Sequence, residues 1–179
     1  HYPLRRQRQM CIRDSNKSDT VGILSPNHIN GALIDLACIA YGIRIVPIPL
    51  NLSSEHLKYV LIHADITHLF LGSEQARELL IESKFNINNV EIIQIDNKNE
   101  WNDFCEKCSK NKIEPPNFKN LESLTSIMYT SGTTDNPKGI QFNQINIVSK
   151  RFARALALPD FGPNDRFLCY LPCLLYTSP

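Results

Sequence analysis

The chain has 179 residues, 42% of them hydrophobic, which suits one domain or a piece of a larger one, and no apolar run approaches the roughly 20 residues of a membrane-spanning helix. A formal charge of +1 predicts no nucleic-acid partner, and six cysteines are too few for a disulfide scaffold. No apolar core follows the basic residues at the start, so no signal peptide is read and a reduced, cytoplasmic setting is the expectation.

Residues 1–15 (HYPLRRQRQMCIRDS) carry four arginines and no apolar period. Back-translation of Arg5 to Asp14 as CGT CGG CAG CGT CAG ATG TGT ATA AGA GAC resembles a transposase-based sequencing adapter. Cys173 to Ser178 back-translates as TGT CTC TTA TAC ACA TCT, the reverse complement of the same mosaic end. Both segments, 1–15 and 173–179, are therefore read as translated adapter and set aside, leaving 16–172 as a truncated native stretch. Removing Arg5, Arg6, Arg8, Arg13 and Asp14 takes the balance from +1 to near −2.

Residues 19–25 (DTVGILS) form a β-rich run that predicts a buried strand, with Asn27 placed to cap the next helix. Residues 30–41 are apolar on nearly all sides and stop before Gly42, which predicts a buried helix. Residues 43–47 (IRIVP) predict a second strand. Ser53 or Ser54 caps a helix over 55–63, with Leu57, Val60, Leu61 and Ala64 at helical spacing. A third strand at 67–71, a helix at 74–83 and a fourth strand at 90–95 follow. Continuous apolar strands alternating with helices predict βαβ units and an α/β fold, a mostly parallel sheet with helices on both faces.

Residues 97–120 are rich in Lys, Asn and Glu and hold Pro115-Pro116, so a polar helix over 100–109 and an exposed connector are expected. Cys105 and Cys108 in that helix lack the second pair or the histidines that zinc needs, and are read as exposed, inert thiols. His28, His56, His63 and His68 show no ligand spacing and are read as surface or core residues. Residues 124–129 (LTSIMY) predict a strand, 143–156 a helix with Arg151 and Arg154 on its wet face, and 166–171 (RFLCYL) a last strand.

The loop at 130–139 (TSGTTDNPKG) leaves the end of a buried strand, where open α/β sheets bind ligands. Thr130, Ser131, Thr133 and Thr134 offer four hydroxyls in five residues, and Gly132 lets backbone N–H groups approach phosphate oxygens. Lys138 supplies a mobile point charge, and Pro137 stiffens the approach to it. The loop is not a Walker A motif, because Gly139 follows the lysine where a hydroxyl is needed.

This loop resembles the signature loop of the AMP-forming acyl-adenylate superfamily, which includes acyl-CoA synthetases, luciferases and adenylation domains. It departs from that pattern at Asp135, where the superfamily has Gly. Asp tolerates a left-handed backbone, but its charge beside phosphates is unfavourable unless it points away or meets Mg²⁺. The segments 19–27, 40–47 and 165–172 are also similar to superfamily segments, and 127–158 looks most like long-chain fatty acyl-CoA synthetases.

The resemblance implies the partial adenylation (AMP-binding) domain of an AMP-forming acid–thiol ligase. It uses ATP, Mg²⁺ and coenzyme A to activate a small carboxylic acid, a fatty acid, with peripheral membrane association open. It implies that Lys138 and Thr133 act on the phosphates, and that Thr130, Ser131, Gly132, Thr133, Thr134 and Lys138 bind them. Parts of the superfamily's site lie beyond Pro172, so this chain alone is expected to catalyse nothing. Another adenylating enzyme and a non-catalytic nucleotide-binding protein are the alternatives.

Overall fold

In the computed structural model, residues 19–109, 121–130 and 136–157 are described. Six strands form one sheet: β1 (Thr20–Leu24), β2 (Arg44–Ile48), β3 (His68–Leu71), β4 (Glu91–Gln94), β5 (Leu124–Thr130) and β6 (Lys138–Asn143). Five helices separate or follow them: α1 (Ile29–Tyr41), α2 (Ser54–His63), α3 (Glu74–Glu82), α4 (Lys98–Ser109) and α5 (Gln144–Ala157). The strand order is β4-β3-β1-β2-β5-β6, parallel except for the antiparallel β5–β6 pair.

The order follows from how the apolar faces are covered. Leu24, Val46, Leu69, Ile127 and Tyr129 share one cluster with Leu57, Val60 and Leu61 of α2 and Ala76 and Leu80 of α3. Val21, Ile45, Phe70, Ile93 and Ile95 share another with Ile34 and Cys38 of α1 and Phe104, Cys105 and Cys108 of α4. Alternate residues of a strand face opposite sides, so both faces are packed and the expected α/β architecture holds. Crossovers to one side of β1 lay their helices on one face and crossovers to the other side lay them on the opposite face, as right-handed connections require.

The expected strands and helices are present among the described residues, with small shifts at their ends. Three expectations are corrected. The cap of α1 is His28, whose Nδ1 accepts from the Asn30 N–H at 3.1 Å, rather than Asn27. Cys105 and Cys108 are buried, 7% and 1% exposed, because Trp101, Phe104, Cys105 and Cys108 form the inward stripe of an otherwise polar helix. Lys138 and Gly139 belong to strand β6 rather than to a loop. Arg151 is exposed, as expected, and pairs with Asp35 of α1 at 3.5 Å. The Arg154 side chain and the strand expected at 166–171 lie outside the described residues.

Candidate phosphate-binding hairpin

Strand β5 is buried from Thr125 to Ile127 and again at Tyr129, and its last residue, Thr130, is exposed. It runs parallel to β2, so its carboxyl end opens on the same edge of the sheet as the carboxyl ends of β1 to β4. Strand β6 returns antiparallel beside it, with Thr130↔Lys138, Tyr129↔Gly139, Met128↔Ile140 and Ile127↔Gln141 as direct partners. The two ends of the hydroxyl-rich loop are therefore cross-strand neighbours, their Cα atoms about 4.5–5.5 Å apart. The Thr130 hydroxyl donates to the Lys138 carbonyl at 3.5 Å, the outer limit of a hydrogen bond.

Lys138 is exposed, and no ion pair among the described residues engages it. Pro137 just before it is fully buried and anchors the return of the chain. Of the six expected phosphate contacts, Thr130 and Lys138 are brought together here. Ser131, Gly132, Thr133 and Thr134 lie outside the described residues, as does Asp135. A hydroxyl and an ammonium flanking the mouth of one loop suit an anion with several oxygens, which Lys binds as a point charge.

Two supports of this hairpin are invisible to motif reading. A Cβ on Gly139 would lie 3.3 Å from Tyr129 Cε1 and Cζ and 3.1 Å from Ile127 Cγ2, closer than ordinary contact, so a side chain there would press on both. The Tyr129 hydroxyl lies 2.7 Å from His63 Nδ1 at the end of α2, and burial pushes its pKa up, with Tyr59 adding to the shift. The phenol thus stays neutral across the physiological range. After β6, Asn143 and Asn146 cap α5 reciprocally: the Asn146 N–H donates to Asn143 Oδ1 at 3.0 Å and the Asn143 N–H to Asn146 Oδ1 at 3.1 Å. Buried Gln144 donates its Nε2–H to the Ile39 carbonyl at 3.2 Å, tying α5 to α1.

Among the described residues, no group of three His, Cys, Asp or Glu side chains could hold a metal, and no helix is long and apolar enough to cross a membrane.

The AMP-binding enzyme family matches residues 12–178. Fatty acyl-CoA synthetase A of Dictyostelium discoideum is 26% identical over an alignment covering 92% of this chain and 28% of that protein. Long-chain-fatty-acid–CoA ligase 5 of Rattus norvegicus is 30% identical, covering 85% of this chain and 25% of its own length. The chain thus spans about a quarter of the length of these curated relatives. Among solved structures, the inhibitor-bound N-terminal domain of FACL13 from Mycobacterium tuberculosis aligns over 97% of this chain and 43% of its own, with TM-score 0.76 and 21% identity. VinN in complex with L-aspartate aligns over 97% of this chain and 49% of its own, with TM-score 0.76 and 18% identity. At those identities the structural likeness concerns the fold, but the family match spans nearly the whole sequence, and the chain belongs to the AMP-binding enzyme family.

Proposed function

We propose that this chain is the amino-terminal part of an ATP-dependent acyl-CoA synthetase acting on a long-chain fatty acid. The observation that carries the reading is the cross-strand pairing of Thr130 with Lys138 at the carboxyl edge of a parallel sheet. In the first step a carboxylate attacks the α-phosphate of ATP, and acyl-AMP and pyrophosphate form. The hairpin loop holds the β- and γ-phosphates: Lys138 and the hydroxyls of Thr130, Ser131, Thr133 and Thr134 stabilise the charge that builds on the leaving pyrophosphate. This is positioning and electrostatics, most effective where donors are fixed before the reaction. In the second step the thiol of coenzyme A attacks the acyl carbonyl and AMP departs. Mg²⁺ would screen the phosphates; the described residues supply no ligand set for it.

The fatty-acid assignment leans on the curated relatives, several of which are long-chain fatty acid ligases. A sulfoacetate–CoA ligase from Cupriavidus necator is equally similar, at 30% identity, so a short polar acid is the second reading. The test uses the complete reading frame recovered from the source DNA. Fatty-acid-dependent ATP–pyrophosphate exchange, lost in Lys138→Ala, is the expected result. Exchange supported by short polar acids alone would overturn the fatty-acid reading, and exchange undiminished in Lys138→Ala would overturn the role of the loop. The 179-residue chain alone is expected to show no exchange. Asp135→Gly in the complete enzyme tests the non-catalytic reading: a large gain would mark Asp135 as damaging. The same DNA tests the ends: genomic codons for 1–15 and 173–179 would overturn their assignment to adapter.

A further inference from the structure

Strand β6 is an edge strand, and residues Lys138 to Gln141 are exposed, so side-chain burial does little to hold it at a fixed height above its neighbour. Two side chains of β5, Ile127 and Tyr129, reach Gly139. The Tyr129 ring lies against the backbone at Gly139, the cross-strand partner that carries no side chain of its own. An aromatic ring beside a cross-strand glycine packs on backbone that no side chain fills, and it pins the register of that edge.

The ring is itself fixed at its far end. His63 Nδ1 is 2.7 Å from the Tyr129 hydroxyl, and the two rings meet edge to face, 5.8 Å apart at 86°. Tyr59, one turn earlier on α2, stacks on His63 at 5.2 Å and 21°. A continuous column thus runs from α2 through Tyr59, His63 and Tyr129 to Gly139. Side chains alternate along a strand, so the next pair on this ladder, Thr130 and Lys138, projects to the opposite face.

We propose that Tyr129 and His63 are positioning residues for Lys138, setting through Gly139 where the ammonium meets the phosphates. They touch no ligand themselves. The inference rests on the phosphate-binding reading of the hairpin and extends it to residues outside the loop.

The experiment titrates inorganic pyrophosphate against the enzyme expressed from the complete reading frame, with thermal unfolding and amide hydrogen exchange measured on the same samples. Tyr129→Phe keeps the ring and removes the hydroxyl; His63→Ala removes its partner. Each is expected to weaken pyrophosphate binding about two- to tenfold, the loss of one hydrogen bond. His63→Gln, which can still pair with the phenol, is expected to recover most of the loss. Lower melting temperatures with unchanged pyrophosphate affinity would mean a merely structural pair and would overturn the proposal. Tyr129→Leu removes the ring and is expected to speed exchange at the amides of Lys138, Gly139 and Ile140; unchanged exchange there overturns the pinning whatever binds. Absence of pyrophosphate binding to the unmutated enzyme overturns the phosphate reading itself and with it the role of Lys138, a result the exchange data keep separate from failure of the pinning.

Discussion

Thr130 and Lys138 are eight positions apart in the chain, yet they are direct partners across the β5–β6 hairpin, with the Thr130 hydroxyl 3.5 Å from the Lys138 carbonyl. The loop between them is closed at its neck by backbone pairing. Both neck residues are exposed, which separates binding from stability. Thr130→Val and Lys138→Ala are each expected to change unfolding free energy by no more than roughly 0.5 kcal/mol. Lys138→Ala should nonetheless abolish measurable pyrophosphate binding. Urea denaturation beside calorimetric titration checks both; retained binding in Lys138→Ala would sink the assignment.

Gly72 follows β3 and leaves no room for a side chain. A Cβ there would overlap Ser25 Oγ and lie 2.5 Å from Ser25 Cβ and 3.3 Å from its Cα. The Gly72 N–H also donates to the Leu24 carbonyl at 3.1 Å, so the backbone has little freedom to retreat. Gly72→Ala is expected to destabilise by about 1–3 kcal/mol, the usual cost of overpacking. Adding Ser25→Gly should recover part of that loss. A double-mutant cycle measures it, and simple additivity would show that the clash with Ser25 is not the cause.

Two carboxylates should titrate with opposite signs. Burial pushes Asp35 above its ordinary 3.8, and Arg151 at 3.5 Å only partly offsets this. A folded-state pKa above the unfolded one means that folding binds the proton more tightly, so stability falls as pH rises through the window above 3.8. Burial is the largest single influence on Asp96 and pushes it up, but the Arg77 hydrogen bond at 3.0 Å, a backbone hydrogen bond and the nearby charges of Arg77 and His28 together outweigh it and leave the carboxyl below 3.8. Its contribution is present above 3.8 and is lost as pH falls through the lower folded value. Relative to the unmutated chain, Asp35→Asn should therefore look more favourable at neutral than at acidic pH. Asp96→Asn should be destabilising by no more than about 1 kcal/mol at neutral pH, converging with the parent in acid. Urea midpoints across an acid-to-neutral series check the signs, and parallel curves for both variants would refute the argument.

The reciprocal cap of Asn143 and Asn146 joins the hairpin to α5. Asn143→Ala leaves the Asn146 N–H at the helix start without its side-chain acceptor and should cost about 1 kcal/mol, while Asn143→Asp should cost less. Melting temperature with far-ultraviolet circular dichroism reads this; equal losses in the two variants would mean that the cap contributes nothing.

The parallel strands were legible because each is covered on both faces and reads as a short apolar run. Strand β6 (KGIQFN) was not, since it is an edge strand with neither a continuous nor an alternating apolar pattern. Its existence depends on β5 being there to pair with. The burial of Cys105 and Cys108 was legible in principle: Trp101, Phe104, Cys105 and Cys108 follow helical spacing, and the surrounding Lys, Asn and Glu outweighed the stripe. Reading the α1 cap as Asn27 rather than His28 was a one-residue error of the sort that backbone geometry alone settles.

The loop at 130–139 was recognisable by itself because its chemistry is local: hydroxyls, glycine, proline and lysine within one short stretch. The sequence alone determined that loop, the βαβ alternation and the family resemblance. The tertiary structure decided that Lys138 stands on a strand opposite Thr130, that Gly139 lies under Tyr129, and that Tyr129 meets His63 across 66 positions of chain. Contacts at that separation depend on strand order and on which face each helix covers, and no window of neighbouring residues carries that information.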